Sequence, residues 1–442
     1  MAKISSANGR RVWDSRGNPT VEVEVTLDTG QSGRAIAPAG ASRGSREAID
    51  LRDGGPALRG MDVGQALKSV NQIIAPAIIG SDIFDQETID HKIISLDNDP
   101  LKSTLGGNAT VATSFAVIHA AAAACNKPLW QHIADHYHCT PTLPLPEIQI
   151  FGGGAHAARR VDIQDFMVMV PGATSFDEVM EITNEIYFAA GDILKARGSL
   201  AGVADEGGWW PVFDSNEQAL ETLVKAIEMT GETPGDRVVI SLDVAASEFG
   251  NNGTYRLALE NRAMESSAFI DLLGQWLDAY PIASIEDPLS EDDSPAMVEF
   301  TRRFGERVQI IGDDYVVTNA DLVRQAATEG ACNGVLIKVN QIGTLTEAVD
   351  AFQAANDAGW RSIVSARSGE TEDVTISHLS TGLGCGQLKV GSFTRSERMA
   401  KWNECLRIGS NLGNERFDAI TPLRNTWWGQ SRLNPSPKGF KS

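Results

Sequence analysis

From about residue 143 onward, short apolar runs alternate with amphipathic helical stretches, and this alternation constrains the fold more than any other feature of the chain. The runs are Phe166–Val170, Val238–Asp243, Ile282–Asp287, Val308–Asp313, Gly334–Asn340, Arg361–Ser365 and Gln387–Gly391. Between them lie helical stretches such as Asp177–Lys195, Asn216–Thr230 and Thr344–Ala358. Buried strands separated by helices imply βα units and a parallel sheet. Seven or eight such units over about 280 residues fit a closed (β/α)₈ barrel better than an open sheet. No GxGxxG follows an early strand, which disfavours a dinucleotide-binding open sheet.

Residues 1–140 follow a different pattern and are expected to form a separate α+β domain, with the barrel over 141–442. TVEVEVTL (Thr20–Leu27) alternates apolar and polar side chains as a half-buried strand does, and the turn at Asp28–Gly30 makes a hairpin with Gly33–Ala37. Ala109–Ala124 is Ala-rich and uninterrupted, a buried helix by propensity. Asn425–Ser442 reads as a surface tail.

Charge excludes some partners. The chain carries 38 Lys and Arg against 58 Asp and Glu, a formal net charge of -20. Nucleic-acid binding rests on Lys and Arg, so nucleic acid is not expected as a partner, nor is an anionic membrane surface. The N-terminal MAKISSANGR has no apolar signal region, and no apolar run reaches the length of a membrane span. Cys125, Cys139, Cys332, Cys385 and Cys405 form no CxxC pair and read as reduced thiols, so a cytoplasmic location is expected.

The strand ends carry the chemistry. Val238–Asp243 ends in Asp243, Ile282–Asp287 in Glu286 and Asp287, and Val308–Asp313 in Asp313. Later strands bring Lys338, Arg367 with Ser368, and Lys389. In a barrel the C-terminal strand ends share one rim, where active sites are built. Acids converging there repel unless a cation neutralises them, and hard oxygen ligands select Mg²⁺ over zinc. Any one of these acids alone reads equally well as a helix N-cap; three in register do not. A surface lysine is usually solvated, but Lys338 lies in the apolar run LIKVN. Partly desolvated near a metal, its pKa would fall and it could act as a general base. Glu206, in the Gly-rich turn ADEGG, is a candidate paired acid.

The segments DSRGNPTVEVEVTL, AGASRGSREAIDLRDG, GGGAHAARRVDIQDFMV, ADEGG, LDVAASEF, SIEDPLSEDD, GDDYVVTN, LIKVNQIGTLTEA, RSGETED and GSFTRSER together resemble the enolase family over almost the whole chain. The resemblance implies an α/β protein with an enolase-type modified (β/α)₈ barrel preceded by a smaller α+β capping domain. It implies one or two Mg²⁺ per subunit and dehydration of 2-phosphoglycerate to phosphoenolpyruvate; a Lys base with Mg²⁺ is the general chemistry of this superfamily. By motif, Asp243, Glu286 and Asp313 would bind the first metal and Ser42, in the loop GASRG, the second. Lys338 would take the C2 proton and Glu206 would help expel the hydroxyl. Lys389 would hold the carboxylate, Arg367 and Ser368 the phosphate, and His156 would sit on a closing loop. The family also implies a homodimer or higher homo-oligomer.

The chain departs from the family pattern at motif positions. Where enolases read SHRSGETED it reads SARSGETED, so Ala366 replaces a histidine. Where they read QEFM it has Gln164-Asp165-Phe166-Met167, which draws the carboxylate at Asp165, a catalytic-region position, back by about 1.5 Å. GASTG becomes a loop with Arg43, followed by Ser45-Arg46; Arg159 and Arg160 follow His156; and Gly-Gly-Phe-Ala-Pro becomes Gly207-Gly208-Trp209-Trp210-Pro211. Loss of an imidazole opens volume, and the arginines would add anion-binding capacity. The expectation is a divergent paralogue resembling carboxyphosphonoenolpyruvate synthase of phosphonate antibiotic biosynthesis, acting on a small anionic phospho- or phosphono-carboxylate. The alternative is an ordinary glycolytic enolase. A non-catalytic binding or moonlighting protein would have lost the metal acids or Lys338, and both are present.

Overall fold

A computed structural model describes residues 2–41, 43–158, 160–413 and 416–433, with only the backbone of His156. The capping region opens with an antiparallel meander of β1 (Ile4–Trp13), β2 (Pro19–Leu27) and β3 (Ser32–Ile36). The β2–β3 hairpin turns through Gly30 at φ +92, a left-handed conformation that glycine adopts without a Cβ penalty. Val21, Val23 and Val25 are fully buried beneath the helix Gly107–Ala124, which packs on β2 and β3. On the other face Glu22 is also buried, because Arg10 and Arg34 each reach it at 3.3 Å. Among the described residues no single helix is long and apolar enough to cross a membrane. Gly107–Ala124 qualifies only when joined to Leu129–Tyr137 across a 98° bend.

The barrel region contributes β4 (Leu145–Gly152), β5 (Asp165–Met169), β6 (Leu200–Val203), β7 (Trp209–Pro211), β8 (Val239–Asp243), β9 (Gly250–Asn251), β10 (Thr254–Leu257), β11 (Arg262–Glu265), β12 (Ile282–Glu286), β13 (Gln309–Gly312), β14 (Gly334–Ile337), β15 (Arg361–Ser365) and β16 (Gly386–Gly391). The order β4-β5-β8-β12-β13-β14-β15-β16 closes where β16 pairs with β4, giving a barrel whose outer wall is the helical layer. Helices start where the sequence offers caps: Ser175, Ser215, Asn319 and Thr344 each accept a hydrogen bond from a first-turn backbone N–H.

The expected all-parallel sheet is corrected at one strand, since β5 runs antiparallel to both β4 and β8. The cause is the connection: the described residues of 153–164 hold only the short turn Gly154–Ala157, too little for the helical crossover that parallel strands need. The reversal has a functional consequence, because the start of β5 lies at the rim where the other strands end, with Asp165 in register with Asp243. The strand β4 was not among the expected runs. Pro146, Glu147 and Gln149 interrupt its apolar pattern, yet all its residues are buried. Glu147 faces a polar layer just below the rim, accepting from Ser241 at 2.9 Å and Gln387 at 2.8 Å.

The expected surface tail is also corrected as far as Leu433. The helix Trp427–Leu433 places Trp428, 1% exposed, against Leu145, Met169, Val239, Ala283 and Leu423. Leu145, Val239 and Ala283 lie at the starts of parallel strands and Met169 at the end of antiparallel β5, so the tryptophan covers the end of the barrel opposite the rim.

Candidate active site

The rim gathers the residues singled out in the sequence. Gln164, Asp165, Glu206, Asp243, Lys338, Ala366, Arg367, Ser368 and Lys389 line one cleft, with Gly40 and Ala41 of the cap loop over it. Glu286 and Asp313 are buried beside it. Ser42 and Arg159 lie outside the described residues. His156 is carried on the turn Gly154–Ala157, and Arg43 is exposed.

Two lysines sit among the acids. Lys389 Nζ lies 2.7 Å from Asp243 Oδ2, 2.8 Å from Glu286 Oε2 and 3.6 Å from Asp165 Oδ2. Lys338 Nζ pairs with Asp313 Oδ2. Burial opposes charge on Lys389, but Asp243 and Glu286 outweigh it and hold the ammonium well above its usual range. The same balance, with Asp313 as the main anion, raises Lys338. The expected depression of Lys338 belongs to the metal-bound site; without a divalent cation its nearest partner is an anion, and attraction to that anion favours the charged form. Burial and then Asp243 push Glu286 up, while Lys338 outweighs burial and holds Asp313 down.

The acid set fits a hard cation. Glu286 Oε1 is buried with no hydrogen-bond partner, facing a region already crowded with carboxylates. A cation there would satisfy that oxygen and relieve the repulsion. The tightest cluster of acid oxygens among the described residues is a different one, Asp287, Asp313 and Asp314, within 4.8 Å of one another. Asp287 is committed to the backbone: at φ +39 it accepts from the amides of Asp313 at 2.9 Å and Asp314 at 2.8 Å. Burial followed by Asp313 lifts its carboxyl to about 8.

The positions that depart from the family pattern fall in and around this cleft. Ala366 is buried and lines it. Asp165 Oδ1 accepts from Gln149 Nε2, whose Oε1 in turn accepts from Gly208 N at 2.9 Å. Arg46 and Arg160, expected to add anion-binding capacity, are engaged elsewhere. Arg46 donates to the carbonyl of Tyr315 at 2.8 Å, and Arg160 lies over the Trp210 ring, 5.8 Å from its centroid. Trp209 stacks on Tyr187 at 4.6 Å and donates to its carbonyl at 2.7 Å.

Sequence reasoning passed over Glu47, Gln341 and Gln149, which stand directly behind the rim. Each lies within or beside a quoted motif, but only the fold shows that they point inward.

A closed barrel with one reversed strand, an α+β cap over its rim, and carboxylates interleaved with lysines at the strand ends define a Mg²⁺-dependent lyase of the enolase superfamily. Comparison with known proteins narrows this. Residues 4–133 match the family described as enolase, N-terminal domain, and residues 140–421 match enolase, C-terminal TIM barrel domain. The chain is 46% identical over 414 residues to "Enolase 1" of Desulfitobacterium hafniense (strain Y51), covering 93% of this chain and 94% of that protein. The chain belongs to the enolase family.

Proposed function

We propose that the protein dehydrates 2-phosphoglycerate to phosphoenolpyruvate, the ordinary enolase reaction. The observation that carries this reading is the single cleft that joins Lys338, Glu206, Asp243, Lys389, Arg367 and Ser368. Asp243, Glu286 and Asp313 would hold Mg²⁺, with Ser42 serving a second ion. Mg²⁺ bound there supplies positive charge against the carboxylate as negative charge builds on it. Lys338, as the neutral amine, takes the C2 proton. Glu206 gives a proton to the departing C3 hydroxyl, which leaves as water. Lys389 orients the substrate carboxylate, and Arg367 with Ser368 holds the phosphate through charge-assisted bonds. His156 and Gln164 complete the substrate shell, and Asp165 lies beside Lys389.

Ala366 and Asp165 favour a second reading, a paralogue resembling carboxyphosphonoenolpyruvate synthase that keeps the proton abstraction but takes a phosphono-carboxylate. Arg43 and Arg159 are the arginines left to serve such a substrate, given the engagement of Arg46 and Arg160.

Absorbance of phosphoenolpyruvate, followed with Mg²⁺ and 2-phosphoglycerate, tests the choice. Turnover no more than about 10²-fold below that of an authentic enolase is expected, the shortfall coming from the shortened Asp165. Lys338→Ala should abolish both turnover and C2 proton exchange while Mg²⁺ still binds. Wild-type turnover lower by several decades, with Mg²⁺ affinity intact, would overturn the first reading in favour of the second.

A further inference from the structure

Glu47 is a buried acid, 5% exposed, with no part in the proposed reaction. Four donors converge on its carboxylate. Gly44 N reaches Oε1 at 3.0 Å, Gln341 Nε2 reaches Oε1 at 3.3 Å, and Arg367 forks across both oxygens, Nη1 to Oε2 at 2.8 Å and Nη2 to Oε1 at 3.2 Å. Gln341 carries the connection onward. Its Nε2 donates to Asp313 Oδ1 at 2.8 Å, and its Oε1 accepts from Thr318 Oγ1 at 2.6 Å. The hydroxyl on Oε1 fixes the amide with its N–H₂ toward the two acids. The same hydroxyl oxygen accepts from the backbone N–H of Lys338 at 2.9 Å.

The cap loop around Glu47 is tied to the barrel on the same side. Ala39 and Gly369 exchange backbone bonds at 2.9 and 2.8 Å. Ala41 N donates to Ser368 Oγ at 2.7 Å, and Ala48 N donates to the carbonyl of Gln341 at 2.7 Å. Gly40 lies flush against the Arg367 guanidinium, where a Cβ would collide with it.

We propose that Glu47 is a positioning residue that couples the placement of the cap loop 38–46 to Arg367 and, through Gln341, to Asp313. It rests on the reading that Arg367 holds the substrate phosphate and Asp313 the metal. A bidentate carboxylate fixes the plane of the guanidinium and so the direction of its remaining donors. Asp313 and Asp314 also attract Arg367. Released from Glu47, the arginine would turn toward Asp313, competing with a cation for that acid and loosening the loop it now anchors.

The test uses the full chain with three variants, Glu47→Gln, Glu47→Asp and Gln341→Met. Glu47→Gln puts an N–H₂ among four donors, and Gln341→Met cuts the link to Asp313 while leaving the Glu47–Arg367 pair. Three quantities are read: Mg²⁺ affinity by calorimetry without substrate, hydrogen exchange of amides in 38–46, and KM and kcat for 2-phosphoglycerate. Glu47→Gln should lose protection in 38–46, weaken Mg²⁺ about tenfold and raise KM tenfold or more, with a smaller change in kcat. Gln341→Met should weaken Mg²⁺ but keep the loop protected, and Glu47→Asp should recover part of the Mg²⁺ affinity. A lower melting temperature alone, with Mg²⁺ affinity, loop exchange and KM unchanged below the transition, would show Glu47 to be merely structural and overturn the proposal. If the wild type does not turn over 2-phosphoglycerate, the substrate reading falls. The calorimetry and the exchange still decide the role of Glu47.

Discussion

At the scale of single residues, Asp165 and Ala366 are the positions where the proposed reaction is most open to test. A carboxylate one methylene short sits about 1.5 Å from where a glutamate would place it, and a displacement of that order can cost about 10²-fold in rate. Gln149 holds the Asp165 carboxylate, which stays 3.6 Å from Lys389. The double change Ala366→His with Asp165→Glu should therefore raise 2-phosphoglycerate turnover, by up to about 10²-fold. A steady-state comparison at saturating Mg²⁺ checks this, and no gain would mean that neither position limits the reaction. Asp243, Glu286, Lys338 and Lys389 were legible in the sequence because strand ends fix where their side chains go. Arg46 and Arg160 were not. A long, flexible cation takes the nearest acceptor or ring, and here those are the Tyr315 carbonyl and the Trp210 face. That Lys338 pairs with Asp313 was equally hidden, since which anion packs against the lysine is decided only once the chain is folded.

At the scale of elements, periodicity showed most later strands to within a residue at each end, Arg361–Ser365 throughout, but Gly334–Asn340 overran its strand, Gly334–Ile337, by three residues into the helix Val339–Ile342. It failed at β4, whose inward polar residues serve a buried network, and at the direction of β5, which a loop length decides. The helix Leu129–Tyr137 offers a test of another buried polar group. His132 is 7% exposed, and its Nε2 has no hydrogen-bond partner. Burial, then the charges of His136 and Lys127, hold its pKa down to about 4. In the unfolded chain it titrates near 6.5, so below that pH the unfolded state takes up a proton that the folded state resists. Its contribution to stability is complete above about pH 6.5 and is lost as the pH falls toward 4. Melting temperatures of wild type and His132→Gln should converge or cross as the pH falls from 7 to 4.5. A difference independent of pH would refute the assignment.

At the scale of the whole molecule, cap and barrel are stitched through polar groups that bond across the seam. Asp90, fully buried, accepts from Thr346 N at 3.0 Å and Thr346 Oγ1 at 2.7 Å. Ser114 Oγ accepts from Leu345 N at 2.9 Å, Lys102 pairs with Glu347 at 2.8 Å, and Ile36 N donates to Asp373 at 2.9 Å. Separating the halves while both stay folded would strand these groups, at about 1–3 kcal/mol for each one left unpaired in a dry environment. The two halves should therefore unfold together, in a single calorimetric transition whose van't Hoff and calorimetric enthalpies agree. Mg²⁺ sharpens the test, because the acids proposed to hold it, Asp243, Glu286 and Asp313, all come from the barrel. At a hundredfold excess over its Kd the ion stabilises the folded state by about 2.7 kcal/mol. For a chain of 442 residues that is a shift of about 3 °C. A coupled molecule moves its one transition upward by that amount with Mg²⁺ and returns on chelation. A cap that unfolds on its own would show a second endotherm that Mg²⁺ leaves in place, and the stitching inferred from Asp90, Ser114 and Lys102 would then be too weak to join the two halves.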